Sequence, residues 1–158
     1  MPQPEEVKTA VDGILADHQD IPASNKLGVF RVTDDTLFAA PKYVEFEEFA
    51  RRLGQTNEQM AERYGAYDEK SVFWVVIDIA RRWPVGALRI IQPLPDMRLK
   101  CFEDFERDVK QGGWGTNVDT IFSRIGANFS TDISRSWEIA TISVNHHYSS
   151  GGEIGGPS

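Results

Sequence analysis

The chain has 158 residues, 41% of them hydrophobic and 26% charged, the mixture of a soluble globular protein with room for one real core and too little chain for two ordinary domains. A formal charge of -7 and a pI near 4.9 exclude a general nucleic-acid binder, which needs surplus Lys and Arg against phosphate. No apolar run reaches the length of a bilayer span and the N-terminus is acidic, so neither a transmembrane segment nor a signal peptide is read and the cytoplasm is the expected compartment.

Residues 1–4 carry two prolines and read as a frayed end. Glu5 to Asp17 then has helical periodicity, with Val7, Val11, Ile14 and Leu15 on one face and Glu5 and Glu6 at the positive end of the dipole. A link around Pro22 leads to Leu27–Val32, a first strand ended by Thr33-Asp34-Asp35. Pro41 to Leu53 is a stronger helix. Phe46, Phe49, Ala50 and Leu53 fall at i, i+3, i+4 and i+7 and are the expected buried stripe; Gly54 is its stop. Thr56 and Gln59 have capping-box spacing and open a short helix through Tyr64, ended by Gly65.

Ser71 to Pro93 follows as two strands and a turn. Val72–Ile79 is apolar on both alternating faces, with Phe73, Val75, Ile77 and Ile79 on one and Val72, Trp74 and Val76 on the other. That pattern predicts a strand covered on both sides. Ala80 to Pro84 is the turn, Pro84 suits a strand's start, and Val85–Ile91 returns antiparallel. Gly86 admits close approach of another backbone or a ligand. Beyond Pro93 and Pro95, Leu99, Phe102, Phe105 and Val109 mark a helix. Gln111 to Gly115 is a loop carrying Trp114, and Val118, Ile121, Phe122 and Ile125 mark another helix. Polar residues 128–136 lead to a last strand, Trp137–Val144, beside the hairpin. Residues 149–158 read as a flexible Gly/Ser tail. The expected fold is one α/β (α+β) domain over 1–158, a mixed, mainly antiparallel sheet with helices on both faces. Cys101, with no second cysteine, is expected as a small buried hydrophobe.

Five short matches then carry a family resemblance. They are Phe49-Ala-Arg-Arg-Leu53-Gly54 on the second helix, Tyr67-Asp68, Gly86-Ala-Leu-Arg89-Ile-Ile-Gln-Pro93 on the hairpin, Pro95-Asp-Met97 through Phe102, and Trp137-Glu138. In this order and spacing the chain resembles the N-terminal half of a GNAT-superfamily acyltransferase. More narrowly it is similar to the N-acylhomoserine lactone synthase and N-acyl amino acid synthase branch. The resemblance implies transfer of an acyl group from acyl-CoA or an acyl carrier protein to an amine, with no tightly bound cofactor. Glu45, Gln55, Gly65 and Thr141 depart from the family pattern, which has Arg, Trp, an acidic residue and Arg there. These departures point away from a homoserine-lactone product and toward another amine acceptor. The resemblance also places Tyr148-Ser149-Ser150-Gly151-Gly152 where the pyrophosphate loop of such proteins begins, without the helix that would follow. The chain is therefore expected to be an incomplete domain.

The candidate site follows from this. Glu138 is the candidate general base, against the plainer reading of a strand-edge carboxylate paired with an Arg. Arg89, Phe49, Asp68 and Trp74 are candidate substrate-binding residues. Arg89, buried between apolar neighbours, wants a carboxylate, and an internal Arg89–Glu138 pair competes with substrate recognition. Ile142, Val144, Ser149, Ser150, Gly151 and Gly152 are the candidate donor-binding set. His146-His147 on an extended chain would point to opposite faces, so no metal site is expected. Two classes stay open: an N-acyltransferase, and a catalytically inactive interaction or regulatory domain prone to self-association through the edge of the last strand.

Overall fold

The structure is a computed structural model that describes residues 1–18, 26–93, 100, 101, 103, 104, 107 and 137–149. Several readings lie outside the described residues: the link around Pro22, the Pro95–Met97 and Phe102 match, the loop with Trp114, the helix marked by Val118 to Ile125, the polar run 128–136, and Ser150, Gly151 and Gly152 with the rest of the tail.

The elements in order are α1 (Pro4–Ala16), β1 (Leu27–Val32), α2 (Ala39–Leu53), α3 (Asn57–Tyr64), β2 (Ser71–Asp78), β3 (Trp83–Ile91) and β4 (Glu138–Val144), with a helical turn at His146–Ser149. Their ends follow the local chemistry. The Glu6 carboxylate accepts the Gln3 N–H at the start of α1, which begins at Pro4. Thr56 accepts from the Gln59 N–H while the Gln59 side chain accepts from the Thr56 N–H, opening α3 as its spacing predicts. α3 ends at Tyr64 with Gly65 as its cap, as its sequence predicts, and a 3-10 segment from Gly65 to Lys70 delivers the chain to β2.

The four strands pair antiparallel in the order β1-β2-β3-β4. The central hairpin is as the sequence predicts, and β4 lies beside it. Pro84 faces Ile77 across a bulge, where its missing N–H is tolerated. Gly86 sits where an added Cβ would come within 3.2 Å of Val76, which answers the close approach expected there.

One face of the sheet is covered. Ala10, Val11 and Ile14 of α1 pack with Phe30, Val32, Phe73, Val75 and Ile77 from the inner faces of β1 and β2, and Phe38 and Ala40 complete this core. Three expectations are corrected here. The described helices pack on this one face, and the opposite face leaves Val29, Trp74, Ile139, Ile142 and Val144 exposed; the helix expected at Val118–Ile125 lies outside the described residues. Trp74 is 39% accessible, so β2 is not covered on both sides. Second, the buried residues of α2 are Ala40, Pro41, Val44, Glu45 and Glu48. Phe46 and Phe49 are only half-buried, Phe49 lying edge-on to Tyr64, and Leu53 is 61% accessible. Cys101 is exposed rather than buried.

Gly54 closes α2 in the left-handed region, φ 63°, with the Gly54 N–H bonded to the Ala50 carbonyl. A Cβ there would meet nothing within 4 Å, so only the backbone resists substitution. Gly54→Ala is expected to lower stability by about 1 kcal/mol in urea titration, with Gly54→Asn recovering part of it.

Candidate functional site

Arg89 is at the centre. It is carried on β3 opposite Thr141 of β4, and its side chain is 1% accessible. A guanidinium this deep needs its donors filled. Nε and Nη2 donate to the two oxygens of Glu45 at 3.0 and 2.6 Å, and Nη1 donates to Asp68 at 2.9 Å. Its faces are covered by the rings of Tyr64 and Phe73, with centroids 4.8 and 4.6 Å from the guanidinium carbon. Glu45, fully buried on α2, also accepts from the Thr141 hydroxyl at 2.5 Å. Asp68 turns its second oxygen to Lys42 at 2.5 Å. Charge thus alternates from Glu45 through Arg89 and Asp68 to Lys42, from the interior to the half-exposed rim.

A second cluster adjoins it through Tyr64. The Lys100 ammonium sits 4.2 Å from the Tyr64 ring centroid and is bonded to Asp104, which also accepts from Arg63. Burial pushes the Tyr64 hydroxyl up to about 12. Burial likewise pulls the Lys100 ammonium below its ordinary value, against the opposing pull of Asp104. Burial would raise the Asp104 carboxyl, but hydrogen bonds from Arg63 and Lys100 prevail and hold it low.

Glu138 opens β4, opposite Ile91. Its oxygens accept the backbone N–H groups of Lys100 and Cys101, each at 2.8 Å. It therefore caps the backbone N–H groups of the helical residues described at Lys100 and Cys101. Arg89 and Glu138 share a sheet as expected, on neighbouring strands, but the carboxylates that bind Arg89 are Glu45 and Asp68. The expected Arg89–Glu138 pair is replaced by Arg89–Glu45.

A separate feature runs along the outer edge of β4. Glu48, Phe49, Arg52 and Leu53 of α2, Ile142 and Val144 of β4, and Tyr148 line a groove of about 530 Å³. It exists because α2 turns acids inward and its apolar stripe outward. Arg51 and Arg52 hold Glu48 at the groove's inner wall. At one end the Tyr148 hydroxyl donates to Asp78 at 2.7 Å, and Arg81 reaches the same carboxylate. Asn145 donates to Glu47 of α2 at 2.8 Å. The Ser143 hydroxyl is buried and has no hydrogen-bond partner among the described residues.

The predicted site residues thus fall in five places. Arg89 and Asp68 are brought together in the buried cluster. Phe49, Ile142 and Val144 meet in the groove. Glu138 caps the helical residues at 100, and Trp74 stands on the open face. Ser149 ends the helical turn that follows β4. His146 and His147 lie in that turn with ring centroids 3.8 Å apart, not on an extended chain with opposed faces. Among the described residues no three His, Cys, Asp or Glu side chains gather as a metal ion would need, and no helix is long and apolar enough to cross a membrane. Sequence reasoning missed Glu45, Thr141 and Tyr148. For Glu45 a signal existed: a buried Arg requires a carboxylate, and Glu45 adjoins the apolar stripe of α2.

Compared with known proteins, the chain matches no family model, no curated protein and no solved structure.

The charges generate two expectations. Arg89→Met or Glu45→Leu alone is expected to cost about 3–5 kcal/mol by leaving a buried ion unpaired, and the double variant to recover most of that loss in urea titration. Asp78 is the second. Burial raises its carboxyl, but the Arg81 N–H, the Tyr148 hydroxyl and the Arg81 guanidinium together hold it below its ordinary value. A depressed folded value gives stability that is full above the unfolded carboxyl's titration and is lost as pH falls through the folded one. Asp78→Asn is therefore expected to flatten the acid limb of the stability profile below about pH 4.

Proposed function

We propose that this chain is an N-acyltransferase of GNAT type, cytosolic, which moves an acyl group from a coenzyme A or carrier-protein thioester to a small amine. The observation that carries the reading is the groove beside β4. It is apolar along Phe49, Leu53, Ile142 and Val144, as an acyl chain requires, and it follows a strand edge whose backbone can polarise a thioester carbonyl. The four-stranded antiparallel order and the Gly86–Arg89 strand support the same reading. In the reaction the amine nitrogen attacks the thioester carbonyl carbon, the C–N bond forms, the C–S bond breaks and the thiolate leaves. The proton released by the acceptor ammonium passes to a carboxylate. We assign that role to Glu138, the carboxylate at the start of β4 that the resemblance marks; it lies outside the groove's lining, and its oxygens each accept one backbone N–H. Arg89 and Asp68 hold the wall behind the site rather than the acceptor itself, since Arg89 has no exposed face.

A second reading has its own observation. The open sheet face and the outer edge of β4 suit an interaction or regulatory domain without turnover.

The experiment is an assay of thiol release from acyl-CoA donors of varied chain length with a panel of amino acids and simple amines, the amide product being identified by mass. Under the proposal Leu53→Asp raises KM for long-chain donors about tenfold, and Glu138→Gln lowers kcat about 10²-fold without unfolding the protein. Absence of thiol release with every donor and amine leaves the interaction reading.

A further inference from the structure

A second cavity, of about 510 Å³, lies between the turn that joins α2 to α3 and Arg107, in the size range of small-molecule sites. Its walls are mostly polar: Gln55, Gln59 and Glu62 stand beside Arg63 and Arg107, with Leu53 at the turn. Gln59, Glu62 and Arg63 fall at i, i+3 and i+4, so α3 presents both signs of charge on one face. The positive side is reinforced from behind. Arg63 Nε donates to one Asp104 oxygen at 3.1 Å and Nη2 lies 3.1 Å from the other. Arg107 Nη1 lies 3.5 Å from the same carboxylate, and Lys100 is bonded to it as well. Three cations thus share Asp104, and positive charge is left over where the exposed Arg107 meets the cavity. Gln59 Oε1 accepts the Thr56 N–H at 2.8 Å, which leaves its amide N–H groups as donors. Gln55 contributes the opposite need. Its Oε1 is buried and has no hydrogen-bond partner among the described residues, a costly state for an acceptor. The last torsion of a Gln side chain is soft, so this oxygen can turn to a donor in the cavity.

We propose that this cavity binds a free α-amino acid with an apolar side chain, as its zwitterion. The carboxylate lies against Arg107 and Arg63 and accepts from the Gln59 amide. The ammonium lies between the Glu62 carboxylate and Gln55 Oε1, which supplies the missing donor. The hydrocarbon side chain turns to Leu53, which is 61% accessible and borders this cavity and the groove alike. A simple anion would leave Glu62 and Gln55 unmatched, and a simple amine would leave the guanidinium side unmatched. The inference concerns binding alone and holds whether or not the chain transfers acyl groups.

Calorimetric titration of L-leucine into the full chain, with no thioester present, tests the inference. Saturable binding of one leucine per chain is expected. Isocaproate, which lacks the ammonium, and isoamylamine, which lacks the carboxylate, are each expected to bind about tenfold more weakly. Arg107→Gln is expected to weaken leucine about tenfold and leave isoamylamine unchanged, while Glu62→Gln weakens leucine by about the same factor and leaves isocaproate unchanged. Both side chains are exposed, so neither variant threatens the fold. Gln55→Met removes the unpaired oxygen at similar size. It is expected to unfold at higher urea concentration and still bind leucine more weakly, a combination that a purely structural Gln55 would not give. Three results would each overturn the proposal: no saturable heat from leucine, isocaproate or isoamylamine binding as tightly as leucine, or leucine affinity indifferent to both Arg107→Gln and Glu62→Gln.

Discussion

The buried pair of Arg89 and Glu45 sets the arrangement of everything around it. One bidentate contact joins β3 to α2, a hydroxyl of β4 binds the same carboxylate, and the 3-10 segment before β2 supplies Asp68 to the remaining nitrogen. Four parts of the chain thus meet at one guanidinium. Because a charge this deep is costly unless every donor is filled, the rotation of α2 about its axis has little freedom. Glu45 must face inward, and whatever lies one residue further along the helix must face elsewhere.

That single requirement accounts for the groove. Glu45 and Glu48 take the inward positions, which leaves Phe49 and Leu53 to line the groove at the edge of β4. A helix whose apolar stripe met the sheet would have closed this edge from above. Here the helix closes the interior with ions and aromatic rings and presents hydrocarbon to the outside. The ring faces of Tyr64 and Phe73 make this workable, since they give the guanidinium a neutral, polarisable lining that costs no further charge.

The local signals in the sequence were reliable. The strand Leu27–Val32, the hairpin, the Thr56–Gln59 capping box and the Gly54 stop all depend on residues within a few positions of one another, and each is where those residues put it. The orientation of α2 was not legible in the same way. Its apolar stripe and its acidic positions differ by one residue, and what decides between them is Arg89, 44 positions away in sequence. Hydrophobic periodicity ranks Phe49 above Glu45 for burial, and it cannot register a cation arriving from another strand. The same holds for Glu138. Its place at the start of β4 was readable, but its work as a cap depends on backbone N–H groups contributed from Lys100 and Cys101.

Glu45 and Thr141 also change how the resemblance is to be used. Both are positions where the chain departs from the pattern it resembles, and read singly they only subtract from the likeness. In the fold they are hydrogen-bonded to each other and share Arg89, so they are one coordinated feature. A carboxylate and a hydroxyl have been set around the guanidinium and fill it. A ligand seeking that Arg would have to displace a bidentate partner from a site closed to water. Among the described residues, apolar side chains instead remain open at the margin of the sheet, along β4, and the charged interior holds that margin in place.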